Sequence, residues 1–271
     1  MNTQYFTCRN GARLAYVDIG KGPVIAWSHG LLMSKAMYGA QIEAFSAHYR
    51  CVAWDHPGQG ESDVLPGSVA SIDTCAEMAA ELIEGLQLGP VRFVGLSMGG
   101  FVGMRLAARR PELIHSLCNL ATTSRPEPTE NISKYRRLNW AARLFGVQRF
   151  LAAQVLPILF GSSFCDDPQR ADDREFWTRQ LMSSNSRRVY RAVNGVLQRQ
   201  DITDEVGCIT APTLQLHGEQ DRAIPVHRAE STARAIPGAR LQVLPGTGHS
   251  MTIETPEAVT QALRTFFDSV D

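Results

Sequence analysis

VRFVGLSMGG, at residues 91–100, is the stretch that indicates how this chain folds. A run of β-branched and apolar residues leads into Gly-x-Ser-x-Gly, and a helical pattern follows. Strand, sharp turn and helix in this order are the setting in which the motif forms a nucleophile elbow. The strained turn lifts the hydroxyl of Ser97 above the sheet, while Gly95 and Gly99 let strand and helix cross closely. The sequence therefore predicts Ser97 as a nucleophile, with the backbone N–H of Met98 as a donor to an oxyanion.

Strands and helices alternate on both sides of this motif. Residues 4–19 alternate in hydrophobicity around a turn at Asn10-Gly11, which predicts an antiparallel hairpin. Amphipathic patterns predict helices near residues 37–48, from Asp73 to Gly89-Pro90, and at the end of the chain from Pro256. A continuous apolar run at residues 24–27 predicts a strand buried on both faces, and further strands are predicted at residues 51–54, 114–121, 212–216 and 241–244. The fold class predicted is α/β, a mostly parallel sheet flanked by helices, with active residues at the carboxyl ends of strands.

The alternation is interrupted in the middle of the chain. From Ile132 to about Gln200 only helical patterns occur, with expected breaks at Pro157, Gly161 and Pro168. We interpret this segment as a helical cap inserted into the core domain. The predicted division is a first core part at 1–123, a cap at 124–203 and a second core part at 204–271.

The predicted cap is basic. Residues 125–200 contain twelve Arg and one Lys against four Asp and three Glu. Most of these arginines are expected on solvated helix faces. The alternative is that one or two reach inward and bind a substrate carboxylate, for which the guanidinium fork is well suited. Trp140 and Trp177 are expected to pack between helices, the alternative being that they line the pocket.

Composition narrows the class of protein. The formal net charge is zero, which disfavours a nucleic-acid partner. Residues 1–10 lack the apolar core of a signal peptide, and no apolar run reaches the ~18 residues that span a bilayer, so we expect no membrane partner. The six cysteines are scattered without a C-x-x-C pair. That spacing predicts no metal site, no disulfide scaffold and a cytoplasmic location.

Ser97, Asp221 and His249 each follow a predicted strand. A serine hydroxyl needs a base to take its proton, and histidine suits this role near neutral pH. A carboxylate must then hold the imidazole tautomer and stabilise the imidazolium. Asp221 is the predicted acid, and Glu219 in the same loop is its competitor. His217, like His227, lacks such a setting and is predicted to be structural.

A second oxyanion donor is expected from the loop after the strand at residues 24–27. The backbone N–H of Leu31 is the predicted donor, and His29 is expected to fix this loop through hydrogen bonds. The turn at residues 55–62 also carries groups that could look catalytic, including Asp55 and His56. Turn carboxylates usually bond their own backbone, so both are predicted to be structural.

These motifs together resemble the α/β-hydrolase superfamily over essentially the whole chain. Residues 96–103 and 120–123 are similar to the 3-oxoadipate enol-lactonases and related carboxylesterases. The matching segments are Ser28–Leu31, Asp55–Ser62, Gly95–Gly100, Gly218–Asp221 and Gly248-His249. The order Ser, acid, His along the chain is the order of that superfamily. Ser97 excludes the dehalogenases and epoxide hydrolases, which place Asp at the elbow.

The resemblance implies a cofactor-free serine hydrolase of a small ester or lactone, acting through an acyl-enzyme. Two alternatives stay open. One is a C–C hydrolase of aromatic ring-cleavage products, although those enzymes carry Trp where this chain has Ser250. The other is a non-catalytic small-molecule receptor, which has less need of Asp221. The sequence leaves the substrate open, including whether it is anionic, and also the oligomeric state.

Overall fold

The computed structural model describes residues 2–270. Its strands and helices follow one another in the alternation predicted from the sequence. The strands are β1 Gln4–Thr7, β2 Arg13–Ile19, β3 Val24–Ser28, β4 Arg50–Trp54, β5 Val91–Leu96, β6 Ile114–Leu120, β7 Thr213–Gly218 and β8 Arg240–Leu244. The helices are α1 Gly39–Phe45, α2 Ile72–Gly85, α3 Met98–Arg109, α4 Thr129–Phe145, α5 Arg149–Leu159, α6 Ser162–Cys165, α7 Ala171–Ser183, α8 Ser186–Leu197, α9 Thr203–Val206, α10 Val226–Ala235, α11 Met251–Glu254 and α12 Pro256–Asp268.

The strands form one eight-stranded sheet in the order β1-β2-β4-β3-β5-β6-β7-β8. The β1–β2 pair is the antiparallel hairpin predicted around Asn10-Gly11, and β2 also runs antiparallel to β4. All other neighbours are parallel. The predicted α/β class with a mostly parallel sheet is therefore confirmed. After β3 the chain goes outward to β4 and then returns to β5 on the other side of β3, which creates a topological switch point between β3 and β5.

The central strands are buried along their whole length, as their continuous apolar runs predict. Every residue of β3 and of β5 is buried, because helices cover both faces of the sheet. The first of these helices after β4, α2, begins after Ser71, whose hydroxyl accepts the backbone N–H of Thr74 at 3.0 Å. It ends at Gly85 rather than at Gly89-Pro90. Because helices cover both faces, the sheet is rigid and fixes the loops at its carboxyl edge.

Helices α4 to α8 occupy the segment predicted to be a cap. The helical prediction holds, and the expected breaks at Gly161 and Pro168 fall between α-helices, but the break expected at Pro157 was wrong. Pro157 lies in the last turn of α5 instead of ending a helix. Its missing N–H removes one hydrogen bond of that turn, while Leu151 and Leu159 of the same helix are buried. The chain turns instead at residues 146–148, where Gly146 has φ +73°, and at 184–185. The boundaries 124 and 203 stay a prediction.

Within residues 2–270, none of the helices combines the length and the apolar character needed to cross a bilayer.

Candidate active site

Ser97 occupies the turn between β5 and α3. Its backbone has φ +52° and ψ −109°, a left-handed region that a residue with a side chain rarely adopts. The backbone N–H of Ser97 donates to the carbonyl of Leu120 at 2.8 Å and so ties the turn to β6. A Cβ at Gly95 would overlap the backbone of Gly99, and a Cβ at Gly99 would overlap the carbonyl of Ser28. The two glycines are therefore required by the close approach that the sequence predicts.

Asp221 and His249 lie in the loops after β7 and β8, and their side chains meet. Nδ1 of His249 is 2.8 Å from Oδ2 of Asp221. The other carboxylate oxygen, Oδ1, accepts the backbone N–H groups of Ala223 and Ile224, each at 2.9 Å. These two bonds fix the orientation of the carboxylate. Because Asp221 accepts from Nδ1–H, Nε2 of His249 is the nitrogen left free to accept a proton.

The protonation of His249 is set by two opposing effects. Burial by itself lowers the pKa of the imidazole, but the charge and hydrogen bond of Asp221 outweigh it, so the pKa lies above the usual 6.5. Ser97 and His249 line the same cavity. Among the hydrogen bonds of residues 2–270 none joins Oγ of Ser97 to Nε2 of His249. Such bonds are often long before substrate binds.

The loop after β3 brings Leu31 to the same cavity. Register pairs Ser28 at the end of β3 with Gly95 of β5, so this loop lies beside the elbow. No hydrogen bond in the described part of the chain uses the backbone N–H of Leu31 or of Met98, and the N–H of Met98, as the first residue of α3, has no partner within the helix. Both N–H groups remain candidates for an oxyanion site.

Hydrogen bonds hold the Leu31 loop in place. Nδ1 of His29 bonds the carbonyl of Gly30 at 2.7 Å, and Nε2 accepts the backbone N–H of His56 at 2.8 Å. The amide oxygen of Gln59 accepts the N–H of Leu32 at 2.7 Å. Burial lowers the pKa of His29 and of His56, which keeps both rings neutral. The prediction that His29 fixes this loop is confirmed.

Asp55 is structural, as predicted. It is fully buried. One carboxylate oxygen accepts the N–H of Lys35, and the other receives the ammonium of Lys35 and the N–H of Glu61. Asp55, Lys35 and Glu61 are absent from the lining of the cavity that holds Ser97 and His249, so the Asp55 side chain shapes the turn at residues 55–62.

The cavity encloses about 190 Å³. Its walls are largely aliphatic and come mainly from helices α4, α5 and α8, with Leu138, Val155 and Val193 as examples. Neither Trp140 nor Trp177 lines it: Trp140 is 56% exposed, and the ring of Trp177 packs against Phe160 with centroids 5.9 Å apart. Apart from Ser97 and His249, the polar side chains in the lining are Glu127, Tyr135, Asn139, Ser184, Ser186 and Arg199.

Arg199 is the one arginine in this lining within the described residues. Its Nη1 lies 3.1 Å from Oε2 of Glu127, and its guanidinium stacks on the ring of Phe101 at 4.3 Å. Burial lowers the pKa of Arg199 to about 10 despite the nearby Glu127 carboxylate. An inward arginine from the segment predicted to be a cap, which the sequence left open, is therefore present, but Glu127 already compensates its charge.

Glu219, the competitor of Asp221, makes its hydrogen bond to Gly246, whereas Asp221 is the residue that pairs with Nδ1 of His249. The Glu219 carboxylate accepts the backbone N–H of Gly246 at 2.8 Å, and the side chain is exposed. His217, predicted to be structural, bonds the carbonyl of Ile224 through Nε2 at 2.7 Å, and the same nitrogen lies 3.3 Å from Oδ2 of Asp221. Its position four residues before Asp221 at a strand end was the available signal.

Two further polar residues near the site were missed by the sequence analysis. Glu254 is buried and accepts backbone N–H groups from the cap segment and from the His249 loop. Gln220, next to Asp221, bonds the same cap segment. A single acid shortly after the His249 loop, beside the apolar Ile253, was the only signal of Glu254. Within residues 2–270 no group of three or more His, Cys, Asp and Glu side chains is arranged to hold a metal ion.

In comparisons with known proteins, the family model and the similar proteins named below all describe hydrolases. A family model described as the alpha/beta hydrolase fold matches residues 23–256. A Pseudomonas syringae protein provisionally named carbamate hydrolase RutD is 28% identical, with 91% of this chain and 94% of that protein covered. A thermophilic esterase from Thermogutta terrifontis superposes with a TM-score of 0.90 at 31% identity, covering 100% and 99% of the two chains. An enol-lactonase from Burkholderia xenovorans LB400 gives 0.89 at 26% identity, covering 98% and 100%.

Proposed function

This chain belongs to the alpha/beta hydrolase fold family, and from that premise we propose that it is a serine hydrolase of a neutral, largely apolar carboxylic ester or lactone. The observation that carries the proposal is the His249–Asp221 pair at 2.8 Å beside Ser97 in an aliphatic cavity. A buried nucleophile, a base with a raised pKa and an orienting carboxylate in one cavity are the components of acyl transfer.

In the proposed first step, Nε2 of His249 takes the proton of Ser97 as Oγ attacks the carbonyl carbon. Asp221 stabilises the imidazolium that forms. The backbone N–H groups of Leu31 and Met98 hold the oxyanion, each contributing about 3 kcal/mol to lowering the barrier. His249 then returns its proton to the leaving alkoxide, and the alcohol departs from the acyl-enzyme. His249 then takes a proton from water, which attacks that ester. As the Ser97–acyl bond breaks, His249 gives this proton to Oγ of Ser97, and the acid is released.

The electrostatics of the cavity support a neutral substrate. Glu127 compensates Arg199, and no other Arg and no Lys among residues 2–270 lines the cavity. A substrate carboxylate buried there would lose its hydration without gaining a free partner. The aliphatic walls instead favour an alkyl or aryl acyl group.

We expect kcat/KM for the p-nitrophenyl ester of hexanoic acid to be about 100-fold higher than for the mono-p-nitrophenyl ester of adipic acid, which carries a free carboxylate. The two acyl chains are equal in length, so the ratio isolates the cost of the charge. The Glu127→Gln variant is expected to narrow this ratio to about 10-fold, because Arg199 is then left uncompensated.

Glu130→Gln, an exposed carboxylate in the same segment, is the matched control and should leave the ratio unchanged. A wild-type preference for the adipate ester would overturn the neutral-substrate proposal and assign Arg199 to binding of a substrate carboxylate.

The pH dependence of kcat/KM follows from His249. The base must be neutral to accept the proton of Ser97, and Asp221 holds its pKa above 6.5 against the effect of burial. Activity should therefore be full at alkaline pH and fall as the pH decreases through a midpoint above 6.5, which a kcat/KM profile reports for the free enzyme. A midpoint below 6.5 would contradict the assignment of His249 as this base.

Carbamate hydrolysis is a second candidate, favoured by the similarity to the Pseudomonas syringae protein. A carbamate carbonyl can be attacked by the same serine. The aliphatic lining supports the ester over a small polar carbamate. Relative kcat/KM for a p-nitrophenyl hexanoate and an N-alkyl p-nitrophenyl carbamate of the same length separates the two candidates.

A cytoplasmic location is also proposed. All six cysteines are free in the structure, and Cys8, Cys51, Cys75 and Cys118 are buried. Burial raises the pKa of Cys75 to about 12 and that of Cys51 to about 11, which keeps these thiols protonated and unreactive. Free thiols of this kind suit a reducing compartment.

A further inference from the structure

The cap contacts the loops of both candidate catalytic partners of Ser97 through one short segment. This segment, residues 159–163, runs from the last residue of α5 into the start of α6, and we call it the strap. The carbonyl of Leu159 accepts the backbone N–H of Ser250 at 2.9 Å. Phe160 is buried and stacks on Phe164 with ring centroids 4.4 Å apart. The strap is therefore anchored in the core on one side and bonded to the His249 loop on the other.

Glu254 joins the strap to the His249 loop a second time. Its Oε2 accepts the backbone N–H of Gly161 and the backbone N–H of Gly248, each at 2.9 Å. Gly248 directly precedes His249. A Cβ at Gly248 would overlap the backbone of Gly161, so the two segments approach as closely as a pair of glycines allows.

Gln220 joins the strap to the Asp221 loop in the same way. Its Oε1 accepts the hydroxyl of Ser162 at 3.0 Å and the backbone N–H of Ser163 at 2.8 Å. Its Nε2 donates to the hydroxyl of Ser163 at 2.8 Å. Gln220 directly precedes Asp221. The strap thus bonds the residue before the acid directly, and it is linked through Glu254 to the residue before the base.

Burying the carboxyl of Glu254 costs free energy, which a residue that only fills space would not require. The side chain is 3% exposed, and burial raises the pKa of its carboxyl. Oε1 has no hydrogen-bond partner among residues 2–270. A buried carboxyl that satisfies one oxygen through two backbone donors and leaves the other unpaired requires an explanation. The explanation that we infer is the position of its two donors: one lies in the predicted cap and the other beside His249, so the carboxyl links the two segments.

We propose that Glu254 and Gln220 are positioning residues that use the strap to hold His249 and Asp221 at the distance and angle required by Ser97. This inference rests on the proposed function. Leu159, the first residue of the strap, also lines the cavity. Seating of the substrate against α5 is therefore coupled, through the strap, to the alignment of the acid and the base.

The test compares Glu254→Ala, Glu254→Gln and Gln220→Ala with wild type in ester hydrolysis and in the rate at which a small fluorophosphonate labels Ser97. Glu254→Ala is expected to lower kcat and the labelling rate about 100-fold with little change in KM, because small misalignments of reacting groups cost about this much. Glu254→Gln retains an oxygen acceptor for both N–H groups and is expected to recover most of the rate. Gln220→Ala is expected to lose about 10-fold, since it frees only the acid loop.

Glu219→Gln is the matched control. Glu219 also accepts a backbone N–H of the His249 loop, from Gly246, but it makes no hydrogen bond to the strap in the described residues. Its rate should stay within about 2-fold of wild type. If Glu254→Ala does not fold, Gln220→Ala decides, because Gln220 is only partly buried.

Wild-type kcat and labelling rates in Gln220→Ala, or in a folded Glu254→Ala, would overturn the strap proposal while leaving the proposed function intact. A larger loss in Glu219→Gln than in Glu254→Ala would also overturn it. A wild-type protein that is neither labelled at Ser97 nor active on esters would overturn both.

Discussion

Ser97→Ala is expected to lower kcat by about 10⁴- to 10⁶-fold while the protein remains folded. The hydroxyl is the only group that can form the acyl-enzyme in the proposed mechanism, and alanine removes that single oxygen. The backbone at position 97 keeps its bond to the carbonyl of Leu120, so the elbow itself does not depend on the hydroxyl. Initial rates with p-nitrophenyl hexanoate measure the loss of turnover, mass spectrometry after fluorophosphonate treatment measures the loss of the adduct, and circular dichroism checks that the variant is folded.

Ser186→Ala is the matched control for this experiment. Ser186 lines the same cavity as Ser97 but begins helix α8 rather than occupying the elbow. Removal of the Ser186 hydroxyl should change kcat by less than about 3-fold. Substantial turnover in Ser97→Ala, or a fluorophosphonate adduct elsewhere in that variant, would refute the assignment of the nucleophile. An unlabelled wild-type protein would favour the receptor alternative.

Asp221→Asn is expected to lower kcat about 10⁴-fold with little change in KM. The structure gives a specific reason. Oδ1 of Asp221 accepts the N–H groups of Ala223 and Ile224, so the oxygen of an asparagine must stay at this side. Its NH₂ group then points at Nδ1 of His249, which must become an acceptor. The proton moves to Nε2, and the ring can no longer take the proton of Ser97.

The tautomer itself is the decisive readout. Nitrogen NMR of histidine-labelled protein should place the proton of neutral His249 on Nδ1 in the wild type and on Nε2 in Asp221→Asn. Glu219→Gln, in the same loop, should retain the wild-type tautomer and most of the activity. If Glu219→Gln loses activity and Asp221→Asn does not, Glu219 is the acid.

The elbow and the alternation around it could be predicted because both depend on neighbours in sequence. A buried strand, a glycine-flanked turn and an amphipathic helix each have a local pattern, and parallel strands bring the residues that follow them to one edge. That logic predicted a meeting of Asp221 and His249 that the structure contains. It failed at Pro157, where packing of the surrounding helix outweighed one lost hydrogen bond.

The sequence by itself thus determined the fold class, the candidate nucleophile and the chain order of its partners. Only the tertiary structure decided the character of the cavity and the contacts that hold its loops. Arg199, which follows α8, is compensated by Glu127 in the loop before α4, and Glu254 bonds two backbone N–H groups that lie far apart in sequence. Helical periodicity tells which face of a helix is buried but not what that face meets, because the partner is chosen by the packing of the whole chain.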